Sequence, residues 1–104
     1  MNRFKELKVW QKSIDLAVEV YKLSSQFPSD ERFNLTLQVR RCSVSVPSNI
    51  AEGAGRNSKK EFNQFLVISN GSSFEMETQL IISNKLGFIS DDQLLPIANK
   101  ISEV

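Results

Sequence analysis

Leu35-Thr36-Leu37-Gln38-Val39-Arg40-Arg41-Cys42-Ser43-Val44-Ser45-Val46-Pro47-Ser48-Asn49-Ile50-Ala51-Glu52-Gly53 is the stretch on which the fold turns, because two periodicities run through it. Leu35, Val39, Cys42, Val46 and Ile50 recur at helical spacing, whereas Cys42 to Val46 alternates like a half-buried strand rich in β-branched residues. Pro47 disfavours a central strand and a helix interior alike, so the local pattern leaves both open. We read a helix bent near Ser43. Gly53-Ala54-Gly55 closes it with residues that tolerate a left-handed cap.

Working outward, the preceding segment from about Lys8 to Gln26 carries Trp10, Ile14, Ala17, Val18 and Tyr21 at helical spacing, and Leu16, Val20 and Leu23 widen that apolar stripe. Lys12, Asp15, Glu19 and Lys22 gather on a narrow wet face. Phe27-Pro28-Ser29-Asp30 breaks the helix, since proline cannot continue the ladder. Downstream, Ser58-Lys59-Lys60-Glu61 has capping-box spacing directly before an apolar run. Phe62, Phe65, Leu66, Ser69, Ser73, Met76 and Leu80 trace one face of the third helix, which Leu86-Gly87 ends. Ser90-Asp91-Asp92-Gln93 repeats the capping logic for a fourth helix through Leu94, Leu95, Ile97, Ala98 and Ile101, with Pro96 placed near its first turn. Short connections make successive helices antiparallel neighbours. The reading is an all-α, up-down-up-down antiparallel four-helix bundle, one domain over residues 1–104.

Composition narrows the function classes. With 40% hydrophobic and 24% charged residues the chain resembles an ordinary globular domain, and no apolar run reaches membrane-span length. The amino end goes straight into mixed charges, so no secretory signal is expected and the cytoplasm is the expected compartment. Cys42 stands alone, which suits a reducing compartment. There is no histidine, and one cysteine without a histidine makes neither a nucleophile pair nor a zinc site. No catalytic residue, metal site or cofactor is expected. Ala51-Glu52-Gly53-Ala54-Gly55-Arg56 lacks the lysine and Ser/Thr ending of a phosphate loop, so it reads as a helix end with Glu52 and Arg56 paired across it. Asp91-Asp92 reads as favourable charge at a helix start.

Where charge is missing, a partner is implied. No residue between Arg41 and Glu52 is charged, nor any from Phe62 through Phe74, although each helix of a lone bundle should show one wet face. Small residues there would let another copy approach closely, and Ser45, Ser48, Ser69 and Ser72 are the candidates for an oligomer interface. A charge introduced at Ser45 or Ser72 is then expected to dissociate the oligomer. Arg40 and Arg41 form one basic cluster, Arg56, Lys59 and Lys60 a second, and Lys5, Lys8 and Lys12 a third. Arg40, Arg41, Arg56, Lys59 and Lys60 are the candidates for contact with nucleic acid, against the plain alternative of a solvated face. A net charge of only +1 requires recognition through such local clusters. Most phenylalanines fit core positions, so base stacking is not expected.

The same residues resemble a known family. Leu7-Lys8-Val9-Trp10-Gln11-Lys12, Gln38-Val39-Arg40-Arg41, Val46-Pro47-Ser48-Asn49-Ile50-Ala51-Glu52-Gly53, Ser58-Lys59-Lys60-Glu61-Phe62 and Glu77-Thr78-Gln79-Leu80 are similar, in order, to the bacterial four-helix-bundle family also called the 23S rRNA intervening-sequence protein family. The resemblance implies that the ambiguous stretch is helical and that the chain assembles as a ring-shaped homopentamer. It also implies RNA or a nucleic-acid-processing protein as the partner: some members are encoded within insertions in ribosomal RNA genes, and the related accessory variability determinant of diversity-generating retroelements works with a reverse transcriptase. It supplies no catalytic residues, and it implies a longer fourth helix than this sequence carries. Two readings follow: a non-enzymatic homo-oligomeric scaffold that binds RNA or other nucleic acid, and a protein-only interaction or structural module.

Overall fold

The computed structural model describes residues 3–103 as four α-helices: α1 (Lys8–Ser24), α2 (Leu35–Ala54), α3 (Lys59–Lys85) and α4 (Asp91–Glu103). Short 3₁₀ turns at Phe4–Glu6 and Ser29–Glu31 precede the first two. Around the bundle, α2 packs against α1 and α3, and α4 closes the ring by packing against the same two helices. The ambiguous stretch is helical throughout. Helical phase wins because Val39, Val46 and Ile50, each almost wholly buried, meet Leu16, Val20, Met76 and Leu80 in one core, which a strand's alternation would have split between two faces.

Pro47 sits in the buried part of α2. It has no amide to give the carbonyl four residues back, so Ser43 loses its ordinary helical donor. Side chains bond the neighbouring carbonyls: Asn49 Nδ2 donates to the Ser45 carbonyl at 2.8 Å, and Ser69 Oγ of α3 donates to the Val46 carbonyl at 3.0 Å. The second of these contacts binds α3 to the proline region.

The ends of the helices follow the sequence closely in three places and depart from it in two. Ser58 Oγ accepts from the Glu61 amide, and at α4 the capping box is reciprocal, with the Gln93 amide donating to Ser90 Oγ and the Ser90 amide to Gln93 Oε1. After α3, Gly87 at φ +82 adopts the left-handed conformation, and the Phe88 and Gly87 amides bond the Ser83 and Asn84 carbonyls in a Schellman arrangement. Gly53-Ala54-Gly55 does not do the same. Gly53 and Ala54 are helical, and Gly55 has φ −79. Pro96 is six residues into α4, past its first turn, on an exposed face where water can reach the carbonyl it leaves without a donor.

Helix α1 is rotated relative to the stripe read from sequence. Its buried line is Ser13, Leu16, Ala17, Val20 and Ser24, while Ile14, Val18 and Tyr21 are exposed beside α2. Nor do most phenylalanines occupy the core: Phe27 is buried, whereas Phe33 and Phe74 are strongly exposed.

Candidate interaction surfaces

The seam between α2 and α3 depends on small residues. A Cβ at Gly53 would lie 2.7 Å from Cβ of Phe65 and 2.9 Å from Cδ1 of Phe62, so only glycine lets the two helices approach this closely. One level along, Ser45 Oγ and Ser72 Oγ share a hydrogen bond of 2.9 Å. Ser69 is buried beneath them, with its hydroxyl given to α2. Three of the four serines marked as interface candidates therefore have their hydroxyls engaged between α2 and α3 of one chain. Ser48 is different. It is exposed and lines a groove on the outer side of the α1–α2 pair.

That groove has a volume of about 660 Å³, and its lining is almost wholly apolar. Ala17, Pro47, Ser48 and Ala51 form a floor of small residues, with Trp10, Ile14, Val18, Tyr21 and Val44 as taller walls. The stripe seen in α1 is therefore a real apolar surface, but it faces outward. Periodicity cannot distinguish the two cases, because both give the same spacing.

The basic candidates are not equivalent. Arg40 is held against α1: its Nε donates to Ser24 Oγ at 2.8 Å, its Nη2 donates to the Tyr21 carbonyl at 3.2 Å, and its guanidinium lies 4.9 Å from the centre of the Tyr21 ring. Arg56 pairs with Glu52 at 2.9 Å, as its spacing suggests, and covers the Phe65 ring. Arg41, Lys59 and Lys60 are exposed and make no ion pair among the described residues. Arg40 and Arg41 lie roughly 20 Å along the helix axis from Arg56, at 1.5 Å per residue, so the two clusters do not form one site.

Lys5 and Lys8 of the third cluster do join the second, whereas Lys12 lines a separate cleft with Asp15, Lys100 and Glu103. Leu7, between Lys5 and Lys8, lines the same cleft as Arg56 and Lys59 at the start of α3. Arg3, Lys5, Lys8, Arg56, Lys59 and Lys60 thus share one end of the bundle with Glu6, Glu52 and Glu61, a local excess of cations that the near-neutral whole chain conceals. At the other end, Asp30, Glu31, Asp91 and Asp92 are balanced by Arg32, Lys85, Lys22 in the last turn of α1 and Arg40 bonded to that turn, and the paired Gln26 and Gln93 side chains tie the acidic segments together. Sequence reading missed this gathering of cations because the basic residues are some fifty positions apart in the chain and meet only through the antiparallel fold.

Among the described residues, no helix is long and apolar enough to cross a membrane. Residues 5–104 match the family described as 23S rRNA-intervening sequence protein. Among solved structures, a protein of unknown function from the S23 ribosomal protein family of Bacteroides thetaiotaomicron is similar, with a TM-score of 0.84 at 26% identity over 91% of this chain and 89% of that one. No curated protein matches the chain.

Proposed function

The chain belongs to the 23S rRNA-intervening sequence protein family, and on that footing we propose that it is a non-catalytic scaffold that associates with copies of itself and meets RNA with its basic end. Self-association is supported by the apolar surface left outside a core that is already closed. Val67 and Phe74 of α3 are 72% and 62% exposed, and the α1–α2 groove is open on the same subunit. Uncovered apolar area of this kind marks an interaction site more often than a free surface. The homopentamer implied by the sequence resemblance is one assembly that would cover it.

The RNA reading is supported by the cations gathered around Arg56, Lys59 and Lys60. One such end is weak, but closed symmetry would repeat it and make a multivalent surface. Binding driven by phosphate contacts falls steeply with salt. Titration of labelled structured RNA at low and near-physiological salt tests this. Lys59→Ala with Lys60→Ala is expected to weaken binding and to reduce the slope of log affinity against log salt by about 1–2. Arg40→Ala with Arg41→Ala is expected to cost less, because Arg40 is engaged within the subunit. The exposed Phe33 lies at the start of α2, away from the basic end, so readout by base stacking is not expected.

A protein-only module is the second reading, and the intramolecular engagement of Arg40 and Arg56 favours it. Absence of RNA binding at low salt, with the assembly intact, would decide for that reading.

A further inference from the structure

Helix α4 fills only part of the seam between α1 and α3. It starts where Gln93 bonds Gln26 beyond the end of α1, runs antiparallel to α1 past the ion pair of Lys100 with Glu19, and in its last turn places Glu103 beside Lys12 and Asp15. Both neighbours continue past that level, α1 back to Lys8 and α3 back to Lys59. There the seam is open as a groove of about 490 Å³, walled by Val9 of α1 and by Asn63, Leu66, Val67 and Asn70 of α3, with Ile50 of α2 and the buried Ser69 and Ser73 at its base. No residue of α4 lines it.

The shape and chemistry of this groove select its occupant. It continues the seam that α4 already fills, so the walls that seat one helix run on to seat another in line with it. From Asn63 to Ser73 it spans about 15 Å at 1.5 Å per residue, close to three helical turns. A helix that short is marginal alone in water, so the occupant belongs to a folded partner or folds as it docks. No lining residue is charged. Val9, Leu66 and Val67 suit apolar anchors, while the exposed side chains of Asn63 and Asn70, seven residues apart on one line of α3, hold no hydrogen bond among the described residues and are free to meet a polar group. At the end nearest α4, Lys12 and Lys100 balance Asp15 and Glu103, whereas at the far end Lys8, Lys59 and Lys60 outnumber Glu61. A helix carries negative partial charge at its carboxyl end, so that end belongs beside the lysines.

We propose that this groove receives one helix of a different protein, about three turns long, laid end to end with α4 and running in the same direction. Its contact face carries aliphatic anchors toward Val9 and Leu66 and a hydrogen-bonding side chain toward Asn63 and Asn70. The contact is distinct from the self-association and the RNA contact proposed above and stands without either.

The probe is a stapled helical peptide of about fourteen residues, long enough to hold its helix, with leucines and one central glutamine along a single face and a fluorophore for anisotropy. A second peptide of the same composition, with its leucines spread around the helix, is the control. The first is expected to bind and the control not to. Asn70→Lys, which puts an unpaired charge into the groove at an exposed position, is expected to weaken binding by about tenfold or more; circular dichroism melts check that it folds, and Asn63→Lys replaces it if it does not. A photo-crosslinker at the carboxyl end of the peptide is expected to label the region of Lys8 and Lys60, and one at the amino end the region of Lys12. Equal binding of the two peptides, no binding at millimolar protein, labelling in the reverse order, or binding unchanged in Asn70→Lys would each overturn the proposal. So would a fall in the assembled mass of Asn70→Lys by light scattering without peptide, which would assign the groove to a second copy of the chain.

Discussion

Helix α2 has two uncharged flanks, and the fold treats them in opposite ways. Toward α3 the flank is closed: Gly53 admits the phenylalanines of the neighbouring helix, and Ser45, Ser69 and Ser72 spend their hydroxyls across the seam. Toward the outer side of α1, Val44, Ser48 and Ala51 remain in an open apolar groove. Both flanks lack charge and both contain small residues. What separates them is whether a partner surface in the same chain fits within van der Waals distance, and that is settled by a single glycine and by hydroxyls in register.

The strongest way to break this contrast is to enlarge Gly53. In Gly53→Ala the new methyl would meet the Cβ of Phe65 at 2.7 Å, an atom fixed to its own backbone, so α2 and α3 must move apart. Overpacking of this kind costs about 1–3 kcal/mol, more than the helix propensity gained from alanine returns. Urea unfolding should show a lower midpoint with little change in slope. An unchanged or raised midpoint would mean that the seam is looser than its geometry indicates.

Gly71 sharpens the comparison by reversing the sign. It lies in the middle of α3 on an exposed face, and a Cβ there would meet nothing within 4 Å. Gly71→Ala is therefore expected to stabilise the protein by about 0.5–1 kcal/mol through the reduced entropy of the unfolded chain. The same exchange at two glycines eighteen residues apart should thus move the midpoint in opposite directions. Loss of stability at Gly71 would indicate that its surface is covered in the assembled protein, a result that light scattering of the variant would register as a change in size.

Much of the fold was legible in the sequence, and the reasons are local. Ser58, Ser90 and Gly87 act at the helix ends through their own backbone neighbours, so spacing was enough to place them. Gly53 was legible as glycine but not in its role, because a cap and a close approach use the same residue and only the position of Phe65 distinguishes them. The apolar face of α1 was legible as a stripe, yet its centre lies at Leu16 and Val20 instead of at Ile14 and Val18. With apolar residues covering so much of the helix, rotation is determined by the neighbours. The interface serines show the same limit: Ser45→Glu or Ser72→Glu would place a charge in the α2–α3 seam and so strike the fold before any contact between subunits. The gathering of cations at one end depends on chain topology, which residue spacing does not carry.

Cys42 provides the smallest effect and a probe at the edge of the closed flank. Its Sγ lies 3.9 Å from Oε2 of Glu75 on α3. Partial burial pushes the thiol above its ordinary ionisation range; a hydrogen bond from Gln79 works in the opposite direction, and the Glu75 carboxylate adds to the rise. Because the folded protein holds this proton more tightly than the unfolded chain does, the group contributes stability below the ordinary thiol range and loses it as pH climbs through the raised folded value. Alkylation by iodoacetamide near pH 8 should accordingly be slower in the folded protein than in the urea-unfolded chain. Glu75→Gln removes the carboxylate's repulsion and should move the pH–rate curve of the folded protein to lower pH, though not as far as the unfolded chain's, because burial, the larger cause, remains. Equal rates in folded and unfolded protein would place Cys42 in water and show that the α2–α3 seam is already open at that level, with the closed flank ending nearer Ser45.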